Sequence, residues 1–280
     1  MSETKIKITK DSVQETLLIP LFARKVCSDA FPELFYDETS IEILDRIDYN
    51  FQKKEKLMKS QIGLFGALEV AQRQYDLEQE VKDYLKEHPR AAVVNLGCGL
   101  DTTFWKVDNG LCRGYNLDLA DVIAVRNELI GVREREENLV CDLNDYSWLD
   151  KIDDSDGAVF FASGVFYYFQ EEQVRNLFSA MAVHFKKGKI SFDACNEKGL
   201  KMMLKTWIKE AGIKDIGAFF SVRNAQKELS SCSDFFESVR AKSYMIGYRD
   251  IRSYVGWFHR LLIAMCDKYF DMQIITIRFK

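Results

Sequence analysis

The sequence predicts an α/β fold: a mostly parallel sheet flanked by helices, with an antiparallel C-terminal edge strand, N-terminal helices and a lid insertion. Three observations carry this. Strand candidates at 91–96, 112–117, 137–141, 157–162 and 188–193 alternate with helix-like segments at 101–107, 120–130, 170–186 and 197–211. Such alternation implies parallel pairing, because each strand returns to the same edge through a right-handed helical crossover. The first run, Ala91 to Val94, passes straight into Gly97-Cys98-Gly99, where missing side chains allow a tight turn and a close approach of backbone to ligand. The tail reads as a strand (Val239 to Gly247), an amphipathic helix (Ile251 to Tyr269) and an alternating strand (Met272 to Phe279), which suits an antiparallel hairpin closing the sheet.

Ahead of the sheet, residues 12–88 read as helices. Gln14 to Val26 carries Leu17, Leu18, Leu21 and Phe22 around Pro20, where a kink or break is expected. Ile41, Leu44 and Ile47 share one helical face, and Leu64 to Leu85 reads as a longer helix ending before Pro89. The expected division is an N-terminal helical cap over 1–88 and a core over 89–280, with an insertion at about 197–238. Segment 212–238 mixes helix and loop signals and is expected to contribute to a lid.

Composition narrows the function. With 280 residues and 47% apolar side chains, the chain supports one substantial core. A net charge of −4 argues against a nucleic-acid partner held through phosphates. The seven cysteines are scattered without a Cys-x-x-Cys pair, and His88, His184 and His259 share no ligand spacing, so neither a disulfide framework nor a metal site is expected. Met1 to Asp11 has no apolar signal region, and no run reaches membrane-span length, so a soluble, cytoplasmic protein is expected.

Asp118 ends the second strand-like run, 19 residues beyond Gly99, where a carboxylate can receive two ribose hydroxyls. Two ligand classes use that geometry. A dinucleotide favours a third small residue where this chain has Thr102, and a pyrophosphate favours a helix start without the acid found at Asp101. S-adenosylmethionine, with its sulfonium and amino group, fits better. Cys141-Asp142 and Ser163 also fall at strand ends, so four chemically suggestive positions gather at one sheet edge.

Thr16 to Arg24, Asn95 to Trp105, Tyr115 to Leu119 and Ala162 to Phe169 together resemble the leucine carboxyl methyltransferase family, and within it the O-methyltransferases of polyketide synthesis of the tetracenomycin type. The Leu-Gly-x-Gly-x-Asp-Thr signature, here Leu96 to Thr102, is fairly specific to that family. The resemblance implies a class I, Rossmann-like methyltransferase sheet and S-adenosylmethionine as cofactor. It also implies Arg73 on the methionine carboxylate, Gly97 and Gly99 in the cofactor turn, and Asp118 on the ribose. Asp142 would meet the adenine amino group, with Leu143 and Ser163 nearby. Arg24, Tyr167 and Tyr168 are expected near the substrate. The family's protein-methylating branch carries glutamate where this chain has Ser163, which moves weight from a protein C-terminus to a small molecule.

The expected reaction is methyl transfer to a carboxylate, or a hydroxyl, of a small polyketide-like or other aromatic acid. A carboxylate is already ionised near neutral pH and needs no base, in keeping with the missing triad or acid pair. A phenolic acceptor needs one, and His184 or His259 are then the candidates. Protein C-terminal carboxyl methylation, a catalytically silent S-adenosylmethionine-binding module and a nicotinamide oxidoreductase remain the alternatives. Trp207, Phe219, Phe220, Tyr244 and Trp257 are the aromatics expected near a lid.

Overall fold

The computed structural model describes residues 5–8, 13–205, 217 and 219–280. Strand β1 (Ile6–Lys7) pairs in parallel with β2 (Ile47–Asp48), a small sheet that the sequence reading did not anticipate. Around it lie α1 (Val13–Ala30), α2 (Glu38–Asp45) and α3 (Gln52–Met58), and then the long α4 (Gln61–Glu87). The expected break at Pro20 does not occur, and α1 runs through it. Proline removes one backbone hydrogen bond there, at a local cost of about 3 kcal/mol. Leu18, Leu21, Phe22, Ala23 and Cys27 are buried along α1, which packs on α4, and burial of about 1.5–3 kcal/mol for each large side chain outweighs that loss.

The main sheet is made of β3 (Ala92–Leu96), β4 (Arg113–Asp118), β5 (Glu136–Val140), β6 (Ala158–Ala162), β7 (Lys189–Ala194), β8 (Phe236–Ser243) and β9 (Gln273–Phe279), in the order β5-β4-β3-β6-β7-β9-β8. The first five are parallel; β3, β6 and β7 are buried along their length, whereas the outer β5 is half open to solvent. Helices α5 (Thr103–Val107), α6 (Ala120–Leu129) and α7 (Glu171–His184) form the crossovers, followed by α8 (Glu197–Met203), α9 (Ala225–Leu229) and α10 (Trp257–Lys268).

The C-terminal strand is antiparallel as expected, but it is not the edge. β9 lies between β7 and β8, and β8 is the outer strand. Burial explains the order: Ile274, Ile275 and Ile277 of β9 are all covered, whereas β8 keeps Glu237, Arg240, Ala241 and Lys242 outside. The last helix is also shorter than expected, since Ile251–Tyr254 forms a separate 3-10 turn and Gly256 caps α10.

Alternation along β6 distributes two cores. Val159 and Phe161 face the layer containing α1, α4 and α10, while Ala158, Phe160 and Ala162 face the layer containing α7. A buried ion pair, Lys189 Nζ to Glu80 Oε2 at 2.6 Å, ties α4 to β7. The helix expected over 197–211 is seen as α8; residues 206–216 and 218, where much of the lid and Trp207 fall, lie outside the described residues.

Candidate active site

The C-terminal ends of β3, β4, β5, β6 and β7 open onto one cavity of about 630 Å³, closed opposite by α1 and α4 and flanked by α8. Strands are added outward from β3 to β5 on one side and from β6 to β7 on the other, so the cavity occupies the switch point in strand order where open α/β sheets bind ligands.

Gly97 and Gly99 adopt φ of +65° and +48° just beyond β3, a backbone state that disfavours side chains. A Cβ on Gly97 would also stand 2.6 Å from Val165 Cγ2. Arg126 braces the turn from beneath: wholly buried on α6, it donates to the carbonyls of Gly99 (3.0 Å) and Asp101 (2.6 Å) and pairs with Glu136 at 3.3 Å. Asp101 is a local tether. Its oxygens accept from Asn95, Gln74 and Thr103, and Arg24 lies 3.7 Å away. Its charge is therefore already balanced by the protein rather than held open for a cationic ligand.

Asp118 Oδ2 accepts from the Gly99 N–H at 2.8 Å and Oδ1 from that of Leu119, which fixes the carboxylate at the cavity wall. Burial raises its pKa, against the lowering effect of those two donors. Each carboxylate oxygen retains a second acceptor site. Asp142 is exposed to the cavity and closes a turn through Oδ1 to Asn144, while Leu143 is buried beside it. Ser163 also borders the cavity.

Across from these lies Arg73 on α4. Its Nη1 donates to Asp193 Oδ2 at 2.9 Å, and Asp193 Oδ1 accepts from the Gly164 N–H at 2.6 Å. Burial pulls the guanidinium pKa down, but Asp193 outweighs it and the group stays charged. Its Nε is buried without a partner among the described residues. The rest of the side chain keeps part of its surface on the cavity, where a guanidinium can meet a ligand carboxylate.

Arg24 borders the cavity too, but its guanidinium is engaged by Ser40 (2.8 Å), Asp37 (3.1 Å) and the Leu100 carbonyl (3.3 Å). Tyr167 and Tyr168 both line the cavity; the first is buried beside Cys195 and Leu200, the second is 42% exposed. Among the expected lid aromatics, Tyr244 reaches the cavity, Phe220 joins the core beneath the sheet, and Phe219 and Trp257 are exposed. Neither candidate base reaches it. His184 lies on α7 facing Asp150 at 3.9 Å, and His259 bonds the Gln61 carbonyl at 2.9 Å between Phe31 and Phe65.

Two acids here escaped the sequence reading. Asp193 stands in the apolar strand Ile190-Ser-Phe-Asp-Ala194, and Glu69 in the apolar stretch Gly66-Ala-Leu-Glu-Val70; a lone carboxylate inside such a run was the available signal. Glu69 lies one turn before Arg73. Burial pushes its carboxyl up to about 7, against the lowering pull of the Cys266 thiol, 3.5 Å from Oε1, and of Arg73.

Comparison with known proteins agrees with this geometry. Residues 18–182 match the family model for leucine carboxyl methyltransferase. A tetracenomycin polyketide synthesis O-methyltransferase from Streptomyces glaucescens is 30% identical over 196 residues, 69% of each chain. An S-adenosyl-L-methionine-dependent methyltransferase from Gibberella zeae, dpfgK, is 26% identical, covering 93% of this chain and 92% of its own. A methyltransferase crystal structure from Thermobifida fusca superposes with a TM-score of 0.60 at 12% identity, covering 96% of this chain and 94% of that one, a likeness of fold. The chain belongs to the leucine carboxyl methyltransferase family of S-adenosylmethionine-dependent enzymes.

Proposed function

We propose that the chain catalyses O-methylation of a small, largely apolar acceptor bearing a carboxylate or a hydroxyl. One observation carries this reading. The glycine turn, Asp118 and the Arg73 side chain border the same cavity as an apolar wall of Leu17, Ile19, Met203 and Met272. The described volume lies in the range of about 300–1,000 Å³ typical of small-molecule sites. The name of the Streptomyces relative supports oxygen as the receiving atom, and Ser163 in place of glutamate favours a small molecule over a protein C-terminus.

In this reading Asp118 accepts the ribose hydroxyls, Asp142 the adenine amino group, and Leu143 packs on the adenine ring. Ser163 adds a hydroxyl beside the cofactor, and Arg73 clamps the methionine carboxylate, with Asp193 fixing its fork. S-adenosylmethionine supplies an electrophilic methyl group, so the protein's work is alignment and exclusion of water, worth up to roughly 7–11 kcal/mol. Tyr167 and Tyr168 contact the acceptor, and Arg24 acts through Asp101 and the Leu100 carbonyl, holding the wall in place.

The test is calorimetric titration with S-adenosylhomocysteine and with NAD, followed by labelled-methyl transfer to small acids, phenols and a C-terminal peptide. Binding of S-adenosylhomocysteine and labelling of a small acceptor are expected. Binding of NAD alone, labelling of the peptide alone, or binding without turnover would each defeat the proposal.

A further inference from the structure

Among the described residues five carboxyl side chains border the cavity: Glu69, Asp101, Asp118, Asp142 and Asp193. Four are held by N–H donors, as described above. Glu69 differs. Its only hydrogen-bond partner among the described residues is the Cys266 thiol, a weak donor, and that bond occupies Oε1. Oε2 accepts nothing within the described residues and is not sealed from the cavity. Gly66 and Val70 of its own helix line the same wall, as do Met203 and Met272. The charged and titratable groups facing it are Arg73 on its own helix, Cys195 just after β7, Tyr244 after β8, and Cys266 on α10.

We propose that Glu69 is the catalytic base of this site, and that the acceptor oxygen is a weakly acidic hydroxyl, phenolic or enolic. The inference rests on the methyl-transfer reading above and narrows it. An acceptor carboxylate brings a second negative charge against Glu69 in an apolar wall, or shares its proton and loses the lone pair needed for attack. A hydroxyl has the opposite match. It donates to the open Oε2, and a carboxyl whose proton affinity burial has raised takes that proton more readily than an ordinary one. The acceptor O–H bond gives its proton to Oε2, and its oxygen forms the new O–CH₃ bond. The electrons of the broken S–CH₃ bond stay on sulfur as a neutral thioether, and Glu69 then releases the proton to water. His184 and His259 stand outside the cavity, so Glu69 replaces them in this role.

The experiment compares wild type and E69Q, each loaded with S-adenosylhomocysteine. Both are titrated with 2-naphthol and 2-naphthoate by fluorescence from about pH 5.5 to 9, a span that brackets the ionisation of the base. For wild type, 2-naphthol should bind more tightly as Glu69 ionises and 2-naphthoate more weakly. E69Q should flatten both profiles while its S-adenosylhomocysteine affinity stays within about two-fold, as expected where no cofactor contact is lost. With labelled S-adenosylmethionine and 2-naphthol, kcat of E69Q should fall about 10²–10⁴-fold with its alkaline rise abolished. C266A, which removes only the thiol donor, should keep the rise and move it to higher pH. An E69Q profile parallel to wild type, tighter binding of 2-naphthoate throughout, or an unmoved rise in C266A overturns the assignment. Wild type that fails to bind S-adenosylhomocysteine instead overturns the methyl-transfer reading beneath it.

Discussion

Replacing Arg126 by methionine removes the brace beneath the glycine turn, and the structure sets the size of the effect. The side chain is fully buried and makes four sets of contacts: Glu136, Asn138 and the carbonyls of Gly99 and Asp101. Deleting one partner of a buried ion pair costs about 3–5 kcal/mol. Glu136 would keep three other donors, Asn116 Nδ2 at 2.7 Å, Trp105 Nε1 at 2.9 Å and the Arg133 N–H at 3.1 Å, which places the loss near the lower end. The Gly99 and Asp101 carbonyls, which face the buried guanidinium, lose a donor as well, so the loss does not fall below that end. The expected destabilisation of R126M is about 3 kcal/mol, read by urea unfolding with tryptophan fluorescence at an unchanged slope. The double variant R126M/E136Q removes the stranded charge but turns an NH₂ toward the Trp105 Nε1–H and Arg133 N–H donors, so it should be no more stable than R126M. A loss under about 1 kcal/mol for R126M, or a double variant clearly more stable than the single one, would refute the reasoning.

Three further outcomes are expected. Asp118→Ala should weaken S-adenosylhomocysteine binding by about 1.5–3 kcal/mol, the worth of a charged hydrogen-bond partner; an unchanged calorimetric dissociation constant removes Asp118 from the ribose. Gly97→Ala, which puts a Cβ 2.6 Å from Val165 Cγ2 at positive φ, should cost about 1–3 kcal/mol of stability and most cofactor affinity; a variant equal to wild type in melting and binding shows that the turn relaxes freely. Asp76 is buried with Oδ2 unpartnered among the described residues, and burial pushes its carboxyl up to about 9. The folded state therefore keeps a proton that the unfolded state has released, so this group's contribution to stability declines from about pH 4 to about pH 9. Asp76→Asn should gain stability over wild type as pH rises from about 5 to 8; parallel stability curves would exclude the effect.

Much of this architecture was legible because its physics is local. Strands β3 and β6 announced themselves as apolar runs and the other parallel strands by their alternation with helix signals, and the Gly97–Gly99 turn and Asp118 lie at fixed spacing from the strands that place them. Elements decided by distant partners were less readable. Pro20 stays inside α1 because α4 lies against that helix, and β9 enters the sheet because Ile274, Ile275 and Ile277 are covered on both faces. The paired strands β1 and β2 are two residues each, too short for any periodicity. At the site, the acids at strand ends were found from their positions. Asp193 and Glu69 draw their significance from Arg73, Gly164 and Cys266, residues far away in sequence. Asp101 was legible as a charge, but not as one already balanced by Arg24.

The placement of β9 bears on how the molecule is made. β8 precedes β9 in the chain, with all of α10 between them, yet among the described strands β8 pairs with β9 alone. During synthesis β8 therefore leaves the ribosome without a partner, and β7 keeps an open edge for the same interval. Open edges recruit strands from other chains. The charged outer face of β8, with Glu237, Arg240 and Lys242, guards against that, so neutralising those three side chains would trouble the nascent protein before it troubles the finished one.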